Sequence, residues 1–267
     1  MAEVTLTGRV RGASHISKNK PCEDFEKVIT INDNVIVAAV ADGHGSDVCT
    51  FSHFGAQCAT EAFCSIVQEL FSNNDEEFII KKLRENNSEI FAKYVIEKWR
   101  RIIKDSPYCF SCGKTDEDGN SIVDWELYGT TLLGLIVTDS FVYALQIGDG
   151  DIIFISNEER THIIEPPKFL GTETYSLSNK EPWKDSISYL QRFNYKDRTP
   201  CLFMMSTDGF SNSFINDDEY LVACEGYFQT IKEHGVEAIK PYLEKWLAIT
   251  SENGCGDDIT FVAIGSI

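Results

Sequence analysis

The chain has 267 residues, of which 43% are hydrophobic, and this length and composition suffice for a sizeable core. Its formal net charge of −18 and its pI near 4.6 exclude partners that need a basic face, such as a nucleic-acid backbone or an anionic membrane surface. The sequence contains no apolar run long enough to span a membrane and no signal-peptide pattern, and its nine cysteines are irregularly spaced, so we expect a cytoplasmic protein.

The first half of the chain is predicted to begin with strands and to continue with helices. Short apolar runs predict strands at Val4–Val10, Phe25–Ile31 and Val35–Ala41. Apolar residues at helical spacing then predict a helix from about Ser52 to Leu70. A second helix is predicted over residues 76–103, and Asn86-Asn87 could break it. Residues 104–121 are rich in Pro, Gly, Asp and Ser and are predicted to form a loop.

Strands return in the second half. They are predicted at Thr130–Thr138, Phe141–Ile147, Asp151–Ser156, Ile187–Phe193, Cys201–Ser206 and Ile259–Ile264. Residues 157–186 have few apolar repeats and are predicted to be irregular, whereas residues 217–232 and 235–249 are predicted to be helical. A helical block between groups of strands indicates one α+β domain over residues 1–267, with stacked antiparallel sheets and outer helices. The tight turns argue against a parallel sheet.

Acidic residues stand at the ends of three of these strands, each beside a glycine. Asp42 follows Val35–Ala41, Asp208 follows Cys201–Ser206 by one residue, and Asp257-Asp258 precede the last strand. A carboxylate at the end of a buried strand is costly unless it is paired. Three such ends that converge would repel one another unless a cation lay between them. The sequence therefore predicts a divalent metal site, for which hard ions such as Mn²⁺ or Mg²⁺ are suited.

Two further turns carry acids. Gly148-Asp149-Gly150-Asp151 joins two predicted strands, and Cys22-Glu23-Asp24 precedes another. Taken alone, Asp42-Gly43-His44-Gly45 or Gly148-Asp149 could be an ordinary turn without a functional role. The recurrence of acids at several strand ends is what favours a common site.

Together these motifs resemble the metal-dependent protein phosphatases, the protein phosphatase 2C-like family. The matching elements, in family order from residue 23 to 260, are Glu23-Asp24, Ala41-Asp42-Gly43-His44-Gly45, Gly129-Thr130-Thr131-Leu132, Gly148-Asp149, Ser206-Thr207-Asp208-Gly209 and Asp257-Asp258-Ile259-Thr260. The resemblance implies the family's α/β/β/α sandwich, with two antiparallel sheets flanked by helices and two or three Mn²⁺ or Mg²⁺ ions at one edge.

The resemblance also implies roles for individual residues. Asp42 corresponds to the carboxylate that bridges two ions. Glu23 and the Gly43 carbonyl correspond to ligands of one ion, Asp208 and Asp257 to ligands of the other, and Asp149 to a ligand of a third. Asp24 resembles an acceptor that orients metal-bound water, and His44 the general acid toward the leaving alkoxide.

The sequence departs from the family pattern at two places. The family commonly has a phosphate-binding arginine four residues before the glutamate, where this chain has Asn19. Nearby basic residues, namely Lys18, Lys20 and His15, could replace it, although a lysine is a point charge rather than a bidentate fork. A solvated basic loop without that role is the alternative. The family's Ser-Arg after the Gly-Asp motif is replaced by Gly150-Asp151, which weakens the expectation of a third metal.

These observations lead to the expectation of a serine/threonine protein phosphatase that uses an attacking water bound between the ions. Its partner would be a phosphorylated protein produced by an opposing kinase, and the enzyme would act as a monomer. Two alternatives stay open at this point. The chain could be a catalytically impaired pseudophosphatase that serves as a signalling or binding module, which the missing arginine favours, or a hydrolase of small phosphoesters.

Overall fold

We analysed the protein as a computed structural model, which describes residues 4–116, 119, 121–167, 174–192 and 200–267. Two five-stranded antiparallel sheets form its centre. The strands of the first sheet are β2 (Phe25–Asn32), β3 (Val35–Ala41), β6 (Leu132–Thr138), β7 (Phe141–Ile147) and β10 (Ile187–Arg192). Those of the second are β1 (Val4–Val10), β8 (Asp151–Ser156), β9 (Arg160–Ile164), β11 (Cys201–Ser206) and β12 (Ile259–Ser266). The first sheet has the order β10-β7-β6-β3-β2 and the second the order β1-β12-β11-β8-β9.

Helices cover the outer face of each sheet. The helices of the described residues are, in chain order, α1 (Ala13–Ser17), α2 (Ser52–Ser72), α3 (Glu76–Arg84), α4 (Glu89–Lys104), α5 (Asp208–Ser211), α6 (Asp217–His234), α7 (Val236–Ile239) and α8 (Leu243–Asn253). Residues of α2, α3 and α4 share one apolar core with the first sheet, and residues of α6, α7 and α8 share another with the second. The protein therefore has the predicted α+β architecture, an α/β/β/α sandwich.

Strand β3 is buried on both faces, one against the helices and the other against the second sheet. In β3, Val35, Val37 and Ala39 pack toward the helices. The alternate residues Ile36 and Ala38 pack toward the second sheet. Because successive side chains of a strand point to opposite faces, a strand between two layers must be apolar throughout. This is why β3 appears in the sequence as a continuous apolar run.

The predicted helix over residues 76–103 is broken, as Asn86-Asn87 suggested. Helix α3 ends at Arg84 and α4 begins at Glu89. Asn86, Asn87 and Ser88 all have positive φ, between 51° and 70°, which a right-handed helix cannot accommodate. The buried Ser88 hydroxyl donates a hydrogen bond of 2.5 Å to the Leu83 carbonyl and so stabilises the turn.

Three predictions of local structure were wrong. The region expected to be a loop, 104–121, contains strand β4 (Ser111–Thr115), which pairs with β5 (Ser121–Val123). The region expected to be irregular, 157–186, contains β9, which pairs with β8 as an edge strand, and a 3₁₀ turn at Pro182–Asp185. Both regions were missed because their strands are short and do not alternate apolar with polar residues, as in Ser111–Thr115 and Arg160–Ile164. The predicted helix at 235–249 is divided into α7 and α8, and Phe193 of a predicted strand lies outside the described residues.

Candidate metal centre

The acidic strand ends meet at one edge of the sandwich, around a cavity of about 790 Å³. Six aspartates line this cavity, namely Asp42, Asp149, Asp151, Asp208, Asp217 and Asp257. Two histidines, His15 and His44, also line it, and no lysine or arginine among the described residues does so. The cavity is therefore strongly negative, and an anionic ligand would be repelled from it without added positive charge.

Asp42 lies at the end of β3, and the backbone on both sides of it is fixed by two threonines. Its N–H donates to the Thr131 hydroxyl at 3.0 Å, and its carbonyl accepts from the Thr131 N–H at 2.8 Å and from the Thr130 hydroxyl at 2.8 Å. Burial, followed by the charges of Asp24 and Asp208, raises the pKa of Asp42 well above its usual range. A cation bound at this position would favour the ionised form of the Asp42 carboxyl and so lower its pKa.

Asp208 and Asp257 reach the same cavity from the second sheet. Asp208 begins α5, and its Oδ2 accepts a hydrogen bond from the Asn212 amide at 2.9 Å. Its Oδ1 is buried without a hydrogen-bond partner. Burial is the largest cause that raises the pKa of Asp208 to about 6, and the nearby charge of Asp149 adds to it. Asp257 is the most accessible of the predicted ligands, with its side chain 52% exposed.

Glu23 and Asp24 lie beside the cavity rather than among the residues that line it. Glu23 is buried, and its Oε2 accepts a hydrogen bond from the Ser52 hydroxyl at the start of α2. Gly43 packs so closely that an added Cβ would lie 2.7 Å from the Glu23 carbonyl. Asp24 accepts from the Thr207 hydroxyl at 2.7 Å, and burial, followed by the charge of Asp258, raises its pKa.

Asp258 has a role that the sequence did not reveal. This buried carboxylate accepts hydrogen bonds from the Gly12 N–H and the Glu23 N–H, both at 2.6 Å, and its Oδ2 lies 2.9 Å from Nδ1 of His15. It thus ties the segment that carries Glu23 to the last strand. Of the two adjacent aspartates, one faces the cavity and the other organises the backbone. Their alternation along the chain, next to a buried strand, is the signal that could have separated them.

Asp149 and Asp151 flank the turn between β7 and β8. Burial raises the pKa of Asp149. Burial also raises the pKa of Asp151 to about 6, and its Oδ2 has no hydrogen-bond partner. His162 lies between Asp151 and Asp217, with Nδ1 at 3.5 Å from the first and Nε2 at 2.8 Å from the second. The contribution of Asp151 and Asp217 to the cavity was missed, because a turn and a helix start explain both residues locally.

His44 lines the cavity from the loop after β3. Its backbone N–H donates a hydrogen bond to the Gly129 carbonyl at 3.1 Å. Gly129 has to be small, since an added Cβ would lie 2.7 Å from the imidazole Cδ2. Burial lowers the pKa of His44 to about 4, so the imidazole is neutral at pH 7 in the free protein.

The basic segment before Glu23 divides into three different environments. His15, in α1, lines the cavity. The Lys20 ammonium donates to the Gly45 carbonyl at 2.6 Å and is therefore next to the cavity without lining it. Lys18 is exposed. Asn19, at the position of the expected arginine, has a φ of 54°, a conformation that asparagine tolerates better than most residues.

The residues present fit a divalent cation on the chemistry of their donors. They offer carboxylate oxygens with raised pKa values and a buried oxygen of Asp208 without a partner, and both features are removed by a bound ion. Across the described ranges no three His, Cys, Asp or Glu side chains already surround a common point. Binding would therefore require small side-chain rotations toward a shared ion.

The fold and the cavity together define a protein class: an α/β/β/α sandwich with an acid-lined candidate site at one edge of its sheets. The sequence matches the family model described as Protein phosphatase 2C over residues 11–248. The chain therefore belongs to the protein phosphatase 2C family. A search of curated proteins found no match.

Solved structures of members of this family share the fold over nearly their full length. The Mycobacterium tuberculosis serine/threonine phosphatase PstP is 13% identical with a TM-score of 0.59, covering 100% of this chain and 99% of that one. The S. agalactiae serine/threonine phosphatase is 12% identical with a TM-score of 0.62, covering 99% of each chain. RsbX, crystallised with magnesium, is 15% identical with a TM-score of 0.54, covering 99% and 98%.

A second structure of PstP contains two manganese ions, at 14% identity, a TM-score of 0.58 and coverage of 99% and 98%. At these identities the likeness establishes the fold alone. Within the described part of this chain, none of the helices has the length and apolar character needed to cross a membrane.

Proposed function

We propose that the protein is a Mn²⁺- or Mg²⁺-dependent phosphatase that hydrolyses phosphoserine and phosphothreonine in proteins. The observation that carries this proposal is the meeting of Asp42, Asp208 and Asp257, from three strand ends, in one cavity. The raised pKa values of Asp42 and Asp208 support it, because such carboxylates gain most from a neutralising cation. The substrate would be the product of a separate serine/threonine kinase, and the protein would act as a monomeric, single catalytic domain in the cytoplasm.

The proposed ligands are those that the family resemblance implies. Asp42 would bridge two ions, with Glu23 and the Gly43 carbonyl on one ion. Asp208 and Asp257 would hold the other. Asp149 lines the same cavity, its charge helps to raise the pKa of Asp208, and it is the candidate ligand of a third ion. When bound, such ions supply charge that attracts the phosphoryl oxygens and lowers the pKa of water.

Residues of this chain would orient the ligands and the attacking water and would donate a proton to the leaving group. The Ser52 hydroxyl donates a hydrogen bond to the Glu23 carboxylate. Asp24, which accepts a hydrogen bond from the Thr207 hydroxyl, is the proposed acceptor that would orient the attacking water. His44 is the proposed proton donor to the leaving alkoxide. Because its pKa is about 4 in the free protein, it fills this role only if a bound phosphate dianion raises that pKa.

Phosphate recognition is proposed for the basic segment. Lys20 is better placed than Lys18, because it contacts the Gly45 carbonyl at the cavity edge whereas Lys18 is exposed. His15 lines the cavity itself. A lysine offers one charge without the two parallel hydrogen bonds of an arginine, so we expect weak phosphate binding and a high KM.

Hydrolysis of a phosphothreonine peptide tests the proposal. We expect turnover with Mn²⁺, none with EDTA, and none from Asp208→Ala, while the exposed turn variant Asp33→Asn retains full activity. A parallel assay with p-nitrophenyl phosphate separates a protein phosphatase from a hydrolase of small phosphoesters, which would favour the small ester. Turnover that persists in EDTA would contradict a metal-dependent mechanism.

A pseudophosphatase that acts as a binding module is the second candidate. Two observations favour it, namely Asn19 at the arginine position and the lack of any lysine or arginine among the described residues that line the cavity. The two candidates differ in the turnover of the folded, metal-loaded protein. Folded protein that binds Mn²⁺ tightly yet shows no turnover on any phosphoester would support the binding module.

A further inference from the structure

The imidazole of His15 is held in one orientation at the cavity wall. Its Nδ1 lies 2.9 Å from Oδ2 of Asp258 and 3.2 Å from the Pro21 carbonyl. Both atoms are acceptors, so Nδ1 must carry the hydrogen. Asp258 is itself buried and fixed by two backbone N–H groups, those of Gly12 and Glu23. The ring is therefore positioned by a rigid anchor.

This arrangement leaves Nε2 facing an acid. Nε2 of His15 lies 3.6 Å from Oδ1 of Asp257, and both residues line the cavity. The His15 side chain is only 14% exposed. A lone pair on Nε2 and a carboxylate oxygen repel each other unless a cation or a proton lies between them. The gap is also one that two metal–ligand bonds of about 2.1 Å can span.

We propose that His15 is a direct metal ligand through Nε2, sharing one ion with Asp257, and that Asp258 is the residue that positions it. The inference rests on the proposed function, since it concerns the ion assigned to Asp208 and Asp257. Metal-binding histidines typically donate their other ring N–H to a carboxylate or a backbone carbonyl, and Nδ1 of His15 faces one of each. This assignment replaces a direct contact between His15 and phosphate.

An imidazole ligand changes which ion the centre prefers. Oxygen-only sites suit Mg²⁺, whereas imidazole suits transition-metal ions. With His15 as a ligand, the centre should favour Mn²⁺ over Mg²⁺ more strongly than a site built from aspartates alone. Loss of a direct ligand should weaken Mn²⁺ binding by more than the about 10- to 100-fold that the loss of an outer-shell partner costs, and should weaken Mg²⁺ binding less.

Pulsed electron paramagnetic resonance of the Mn²⁺-loaded protein tests the bond directly, because a coordinated nitrogen modulates the electron spin echo. We expect a ¹⁴N modulation in the wild-type protein that changes to the ¹⁵N pattern when histidine is ¹⁵N-labelled. It should disappear in His15→Gln and persist in two controls, His44→Gln at the cavity and the exposed His234→Gln.

The labelling comparison uses the unaltered chain, so it decides whether an imidazole is a ligand even if His15→Gln fails to fold. Mn²⁺ bound without nitrogen modulation would overturn the inference and leave the proposed metal centre intact, with a proton on Nε2 as the explanation. A modulation lost in His44→Gln instead would also overturn it. Folded protein that binds no Mn²⁺ would overturn both the inference and the proposed function.

Calorimetric titration provides the second measurement. The ratio of Mn²⁺ to Mg²⁺ affinity should fall in His15→Gln and stay unchanged in His234→Gln. Equal weakening of both ions would contradict a direct bond, since a residue that merely shapes the cavity affects both ions alike.

Discussion

Replacing Asp208 by asparagine should stabilise the metal-free protein while abolishing activity. The side chain is buried at the cavity wall, where burial and the charge of Asp149 raise its pKa from 3.8 to about 6. Asparagine keeps an oxygen that can accept the hydrogen bond from Asn212 and has no charge to bury. The change therefore removes the cost of ionising this carboxyl in the metal-free folded protein.

The magnitude and its pH dependence follow from the two pKa values. Because the folded state holds the proton more tightly than the unfolded state, ionisation opposes folding. The cost is absent below about pH 4, grows as the pH rises and is complete above about pH 6. A difference of about 2 pKa units is worth about 3 kcal/mol. Since the cavity is open to solvent, we expect a gain of about 1–3 kcal/mol at pH 7.

Urea unfolding in EDTA at pH 4 and pH 7 measures this effect. Asp208→Asn should raise the free energy of unfolding at pH 7 and have little effect at pH 4. The matched control, Asp33→Asn in the exposed turn between β2 and β3, should change neither value. An equal gain at both pH values, or a loss at pH 7, would refute the reasoning, because the gain is assigned to removal of a charge.

Three further predictions concern residues that line the candidate metal centre or contact its proposed ligands. Gly209→Ala should destabilise the fold by several kcal/mol in urea unfolding and weaken Mn²⁺ binding, because the added Cβ would lie about 2.0 Å from the Asp258 carbonyl oxygen. Ser52→Ala should weaken Mn²⁺ binding about 10-fold by calorimetry, because it frees the Glu23 carboxylate, and should cost about 1–3 kcal/mol of stability, because that buried carboxylate loses a donor. In metal-free protein, the His44 imidazole should titrate near pH 4 in ¹⁵N nuclear magnetic resonance.

Each of these has a control within the chain. Gly226→Ala, on the exposed face of α6 with open space around it, should instead stabilise the protein by about 1 kcal/mol. Ser72→Ala, at the exposed end of the same helix as Ser52, should leave Mn²⁺ affinity unchanged. For the His44 titration the control is His44→Gln, which should remove only the signal assigned to this ring. A midpoint near 6.5 for His44 would show that its ring is more solvated than the structure places it.

Local pattern determined most of the fold and the location of the site. The continuous apolar runs of β3, β11 and β12 predicted strands buried on both faces, and such strands require layers on either side. The same runs made the acids at their ends conspicuous. Asp42, Asp208 and Asp257 could be singled out because a buried strand gives a carboxylate no local reason to be there.

Tertiary structure alone decided what each side chain does, because the decisive contacts join residues far apart in the chain. Only the packing of β12 against the N-terminal segment shows that Asp258 anchors Gly12 and Glu23, while its neighbour Asp257 faces the cavity. The same packing orients His15, which sequence reasoning had grouped with the lysines. Edge strand β9 exists because β8 offers it hydrogen bonds, a cause that no local pattern records.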